Sequence, residues 1–339
     1  MSLSRRDAAS DSASMNDERP TTNDIADGDE FRPAVCELLP ALFILFVAYG
    51  IIDTTGNYNI RIYKEGGSVS RMDRDFVVSQ FTRYVQGFDQ EEEGVRLKYA
   101  HSLRVSRLCE QIALSLDLSQ DDVDLAWLIG VLHDIGRFEQ LREYHTFVDY
   151  RSMDHAKYGA HYLFSDGHIR DFLDDMSQDD VICMAIDQHN VYQLRRDLTP
   201  RQQLFCQLIR DADKIDIFRV YVMYMRQKKN IWNVDWSDFE NQPISDVVMA
   251  QARQGKLVRT QDKKTFMDFY VGALCLYFDL VYPRSRQLAR EQGYLDTLLD
   301  FHSQNADSEG KLDEIRRLIR KGEELPCPSF IDTMYKRIQ

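Results

Sequence analysis

His133 and Asp134 close an otherwise apolar helical stretch, LAWLIGVLHDIG. Burying two ionisable residues there without partners would cost several kcal/mol each, so something must compensate them. Neighbouring positions on a helix lie about 100° apart, so both side chains can reach one ion near the helix end but cannot fill its coordination sphere. Other helices must supply the remaining ligands. His101 stands four residues before Val105 and shares the apolar face of its helix, where a bonded core histidine is the ordinary reading and a metal ligand the sharper one. Asp213 follows Cys206 and Ile209 at helical spacing and points inward. Asp211 falls about 200° away and is expected to be solvated. His189 ends the face set by Ile182, Ala185 and Ile186, and His155 precedes Gly159, a residue small enough to let another helix approach.

Together His101, His133, Asp134, His155, His189 and Asp213 have the composition of a metal site. Nitrogen and oxygen ligands without thiolate suit iron, manganese, zinc or cobalt, and magnesium is a further candidate. Six protein ligands exceed what one catalytic ion with open positions needs, so two divalent ions bridged by Asp134 are expected. Water activated there would be the nucleophile, with His133 and Asp134 at the catalytic centre and no side-chain nucleophile required. An anionic substrate needs cations nearby. Arg104, Arg137, Lys157 and Lys214 flank the proposed ligands and are candidates for binding that anion, although pairing with Asp211, Asp216 or Glu139 would explain each one equally well. Asp216 is placed to orient a ligand histidine or Lys214. His145, His161 and His168 fall outside the pattern and are expected at the surface or behind the ligands.

The elements that must position these residues are helical. Val105, Leu108, Cys109, Ile112 and Leu116 mark one helix face, Ser119 is placed to cap the next helix, and Gly136 is expected to end it. Thr199, Pro200 and Gln202 read as N-cap, first-turn proline and capping-box partner of a long helix. Residues 236–263 contain short polar breaks, and Lys264–Tyr282 and Lys311–Lys321 read as two further helices. No internal repeat and no strand pair is evident, so the chain is expected to be all-α.

Four segments follow: an acidic disordered tail over 1–32, an apolar segment and linker over 33–71, a metal-binding helical domain over 72–235, and a C-terminal helical extension over 236–339 packed on it. Leu38–Ile52 is the most apolar run, shorter than the roughly twenty residues that cross a bilayer. Membrane association through it, docking on the globular body, and translation starting at Met72 are the three readings it leaves open. The net charge of -13 argues against a nucleic-acid polymer as partner. The 6 cysteines form no C-x-x-C pair, which fits reduced thiols in the cytoplasm.

His101, the His133-Asp134 doublet and Asp213 within RDADKID resemble the signature of the HD-domain metal-dependent phosphohydrolases. The phrases HSLRVSRLCEQIA, LIGVLHDIGRFEQLREYHTF, SMDHAKYGAHYLF and IRDADKIDIFRV are similar to a bacterial branch of these enzymes, over about residues 72–300. The resemblance implies an HD-type helical bundle with additional C-terminal helices. It also implies hydrolysis of a phosphoester or phosphoanhydride in a nucleotide or similar small phosphate. Histidines at positions resembling His155 and His189 characterise two-metal branches, among them cyclic-dinucleotide phosphodiesterases, symmetrical dinucleoside tetraphosphatases and mixed-valent di-iron oxygenases. Where the cyclic-dinucleotide enzymes have paired histidines and a Gly-Tyr-Pro phrase, this chain has Gln188-His189-Asn190 and no such phrase, so their substrate does not carry over. A di-iron oxygenase and a nonhydrolytic nucleotide-binding regulatory module are the alternatives, the latter weakened by the intact ligand set.

Overall fold

The helix starts are written in capping residues. Asp73 accepts from Phe76 N at 2.9 Å to begin α1 (Arg74–Val85), and Ser119 accepts from Asp122 N at 3.2 Å to begin α3 (Gln120–Leu132). Between them runs α2 (Glu93–Ser115), whose inner face carries His101, Val105, Cys109 and Ile112. The computed structural model describes residues 72–227 and 238–323, and among these there is no strand. The apolar run Leu38–Ile52 and the segments 1–32 and 33–71 lie outside the described residues, as do Cys36 and Cys327. Cys109, Cys183, Cys206 and Cys275 are free thiols. No described helix is long and apolar enough to cross a membrane.

Every residue of α3 from Val123 to Leu132 is buried, as an all-round apolar helix requires. Its backbone lies close against α2 at Gly130, where a Cβ would stand 2.5 Å from Ser106 Cα. Gly136 does not end this helix. α3 stops at Leu132, a tight turn carries His133 to Ile135, and Gly136 opens α4 (Gly136–Tyr144). The glycine is needed for packing rather than termination, since a Cβ there would meet His155 O at 2.3 Å. That contact brings in α5 (His155–Ala160), whose Gly159 faces Gly136 from the other side. α6 (Asp179–Asp187) follows, then α7 (Pro200–Gln227). The reciprocal bonds Gln202 N to Thr199 Oγ1 (3.2 Å) and Thr199 N to Gln202 Oε1 (3.0 Å) form the expected capping box of α7.

Beyond Asp238 the chain forms α8 (Asp246–Ala252), α9 (Phe266–Leu274), α10 (Pro283–Glu291), α11 (Tyr294–Leu299) and α12 (Ala306–Glu323). The single helix expected over Lys264–Tyr282 is instead α9 followed by a 3-10 stretch, Cys275–Asp279. Pro283 disfavours helical geometry at Tyr282, which is extended. Helix α7 is the shared spine, packed by α2, α3 and α6 and also by α9, α10 and α11. This second layer overturns the expectation for Asp211. The residue is fully buried and accepts from Val281 N (2.9 Å) and Tyr282 N (3.0 Å), satisfying donors just before α10. Burial raises its pKa, against the pull of those donors and Lys214.

Candidate metal centre

Each of the four candidate ligand histidines is held through Nδ1, which leaves Nε2 to face the centre. His101 on α2 donates Nδ1–H to Asp216 Oδ2 (2.7 Å), and His133, after α3, to Gly130 O (2.8 Å). His155, opening α5, uses Asp149 Oδ2 (2.9 Å), and His189, after α6, uses Ile186 O (2.7 Å). An Nδ1 bonded in this way fixes the tautomer and makes Nε2 the lone-pair nitrogen, the usual arrangement behind metal-bound imidazoles.

All four Nε2 atoms converge on the carboxylate of Asp134, two on each oxygen. Oδ2 lies 3.4 Å from His101 Nε2 and 3.4 Å from His133 Nε2, while Oδ1 lies 3.2 Å from His155 Nε2 and 3.6 Å from His189 Nε2. Asp213 on α7 adds Oδ1 to the first group, 3.1 Å from His101 and 3.8 Å from His133. Ligands bonded tetrahedrally at about 2.0–2.1 Å stand about 3.4 Å apart, so both groups have the spacing of a coordination shell. The Nε2 atoms of His101 and His133 are buried and make no aligned hydrogen bond. Leaving such atoms unsatisfied costs about 1–3 kcal/mol each, and a cation at Asp134 would satisfy both. The residues therefore fit divalent metal, in two groups that share Asp134: His101 and His133 on one side, with Asp213 beside them, and His155 and His189 on the other.

Electrostatics differ between the two halves. Burial and Lys98 act to lower the His101 pKa, but Asp134, Asp213 and Asp216 override them and raise it to about 10. His189 moves the other way, to about 4, through burial and the neighbouring His155 and His133 imidazoles, against Asp134. Burial would raise the carboxylate pKa of Asp134, yet Lys98 and the His133 and His101 imidazoles hold it well below the ordinary range. His101 must therefore shed a proton to ligate at neutral pH, and His189 is already neutral.

A cavity of about 620 Å³ opens onto Asp134, His155, His189 and Asp213. Of the expected phosphate-binding cations it takes Arg137 and Lys214 but neither Arg104 nor Lys157. Arg104 grips Asp216 through Nε and NH2 at 2.7 and 2.8 Å, and so steadies the partner of His101. Lys157 is 68% exposed and pairs with Asp154. Arg137 reaches Asp134 at 3.5 Å and Asp149 at 2.7 Å, and Lys214 shares Asp279 with Arg210. His145 and His161 are exposed, and His168 stacks on Tyr162 while bonding Asp171.

Sequence reasoning missed Lys98, Asp149, Arg210, Arg259 and Lys263. Lys98 Nζ sits 2.5 Å from Asp134 Oδ2, and its place three residues before His101 on the same helix face was a usable signal. Asp149 opens a short 3-10 turn, Asp149–Arg151, before α5, too short for any periodicity to mark it.

A family model described as the HD domain matches residues 99–217, the stretch from the middle of α2 into α7. Comparisons with curated proteins and with solved structures give no significant match. The matched stretch contains all six of His101, His133, Asp134, His155, His189 and Asp213, so residues 99–217 are similar to the HD domain.

Proposed function

We propose that the protein is a metal-dependent phosphohydrolase that cleaves a phosphoester or phosphoanhydride bond in a nucleotide or similar small phosphate. The observation that carries this reading is the convergence of four Nε2 atoms on the two oxygens of Asp134, beneath a cavity lined by cations. Divalent ions held there would supply Lewis acidity, activating water and neutralising charge on phosphoryl oxygens.

The chain's own groups supply the rest. Asp134 spans both halves of the cluster, and Asp216 and Asp149 hold the His101 and His155 rings in register. Lys98 and Arg137 place positive charge beside Asp134, where phosphoryl oxygens would lie. Lys214, whose pKa is lowered by burial and Arg210, brings an ammonium to the same cavity. These cations favour an anionic substrate, such as a phosphate, over an uncharged one. The four described cysteines, three of them buried, are free thiols, which agrees with a cytoplasmic setting.

Turnover of a nucleotide panel with manganese, magnesium or iron, by wild type and Asp134→Ala, tests the reading. Wild type is expected to release phosphate or a nucleotide product, and the variant to lose about 10²–10³-fold or more in rate, the range for removing one electrostatic group or above it. Persistent activity in Asp134→Ala would remove the assignment.

A further inference from the structure

One stretch of the cavity wall comes from outside the HD-matched residues. Between α8 and α9, Leu257 to Gln261 and Lys263 line it together with Tyr192 from the loop after α6. The Tyr192 hydroxyl donates to Leu257 O at 3.2 Å, and the Arg259 guanidinium lies 5.2 Å from the Tyr192 ring centroid, so the two segments are fastened together. Lys263 passes its Nζ over the Phe269 ring at 5.3 Å. It occupies space that Gly272 leaves open, since a Cβ there would stand 2.7 Å from that Nζ.

These cations differ from the others in the cavity. Lys98 is matched by Asp134, Arg137 by Asp149, and Arg210 and Lys214 by Asp279. Among the described residues, neither Arg259 nor Lys263 makes an ion pair with a carboxylate. The protein has 55 acidic residues against 42 basic ones, so carboxylates are not scarce. Lys263 is half-buried, and burial lowers its pKa although the Asp268 carboxylate, which does not pair with it, acts in the opposite sense. An anion entering the cavity would offset the cost of that burial.

We propose that Arg259 and Lys263 form a second anion subsite, so that the substrate carries two separate anionic groups, one at the Asp134 cluster and one here. A bisphosphate fits this description and a simple monoester does not. The inference rests on the hydrolase reading for the reaction but not for the binding. It assigns to the C-terminal extension a part in substrate selection.

The probes are adenosine 3′,5′-bisphosphate and adenosine 5′-monophosphate, titrated calorimetrically into the manganese-loaded full chain and compared as substrates. Wild type should prefer the bisphosphate in Kd and in kcat/KM. Arg259→Gln/Lys263→Gln should cut that preference roughly tenfold or more, as expected for lost charge-assisted bonds, mostly through KM. Arg259→Lys/Lys263→Arg should retain much of it. An unchanged preference in the double glutamine variant, equal weakening of both probes, or no preference in wild type would overturn the subsite. A binding preference that depends on both residues, with neither probe hydrolysed, would leave the subsite standing and count against the hydrolase reading.

Discussion

Asp216→Asn separates ligand orientation from ligand identity. Asp216 accepts from His101 Nδ1 at 2.7 Å and from two of the three Arg104 nitrogens, Nε at 2.7 Å and NH2 at 2.8 Å. Asparagine nearly preserves the volume but removes the charge. If its oxygen stays with Arg104, its amide NH2 faces Nδ1, which favours the tautomer carrying hydrogen on Nε2, where a metal ligand needs a lone pair. Loss of a partner behind a ligand histidine costs about 10–100-fold in metal affinity, or about 1.4–2.7 kcal/mol. The metal-free fold should also weaken. Removing one partner of a buried pair costs about 3–5 kcal/mol, and the lower end applies because the Arg104 side chain keeps 13% exposure through which water can replace the lost charge. Competition against a fluorescent chelator at pH 7.5 reads the affinity, and urea denaturation in chelator reads the fold. Asp149→Asn is the companion, because it unpins His155 and should weaken the other binding event. Wild-type stoichiometry and affinities in Asp216→Asn, with the fold intact, would refute the proposed role of His101. Identical effects of the two variants on a single binding event would refute the two-site division.

Three further outcomes follow. With a His101 pKa of about 10 against an ordinary 6.5, its protonated form stabilises the metal-free protein fully below about pH 6.5, and this contribution is lost as pH rises towards 10. Metal binding at pH 8 should therefore release protons and tighten with pH, measured by calorimetry in buffers of different ionisation enthalpy; no net release would contradict this. Gly130→Ala places a methyl 2.5 Å from Ser106 Cα, so overpacking of about 1–3 kcal/mol should exceed the helix-propensity gain of about 1 kcal/mol. Urea unfolding should show net destabilisation and chelator competition a weakened metal site, because α2 and α3 carry His101 and His133. Asp211→Ala should cost about 2–4 kcal/mol by stranding two backbone donors, yet leave metal stoichiometry as in wild type; depleted metal would place Asp211 in the centre after all.

What the sequence revealed, and what it hid, divides along a physical line. His101 and Asp213 belong to long helices and His133 directly follows an apolar one, and the helical period fixes direction, so an inward polar residue stands out against its neighbours. The caps at Ser119 and Thr199 were legible for the same local reason. Asp211 was misplaced because the period reports only which side of a helix is apolar on average, and α7 is covered on two sides by elements far along the chain. Short helices such as α10 and α11 complete too few turns to show a period, and Gly136 served a close approach that looks identical, in sequence, to a helix end. The cavity wall was the least accessible. Arg259 and Lys263 lie in a connection without periodicity, and their lack of carboxylate partners is a property of the surrounding space. Ligands that a helix aims can thus be read from spacing alone, whereas groups that select what the ligands act on emerge only once distant segments are packed together.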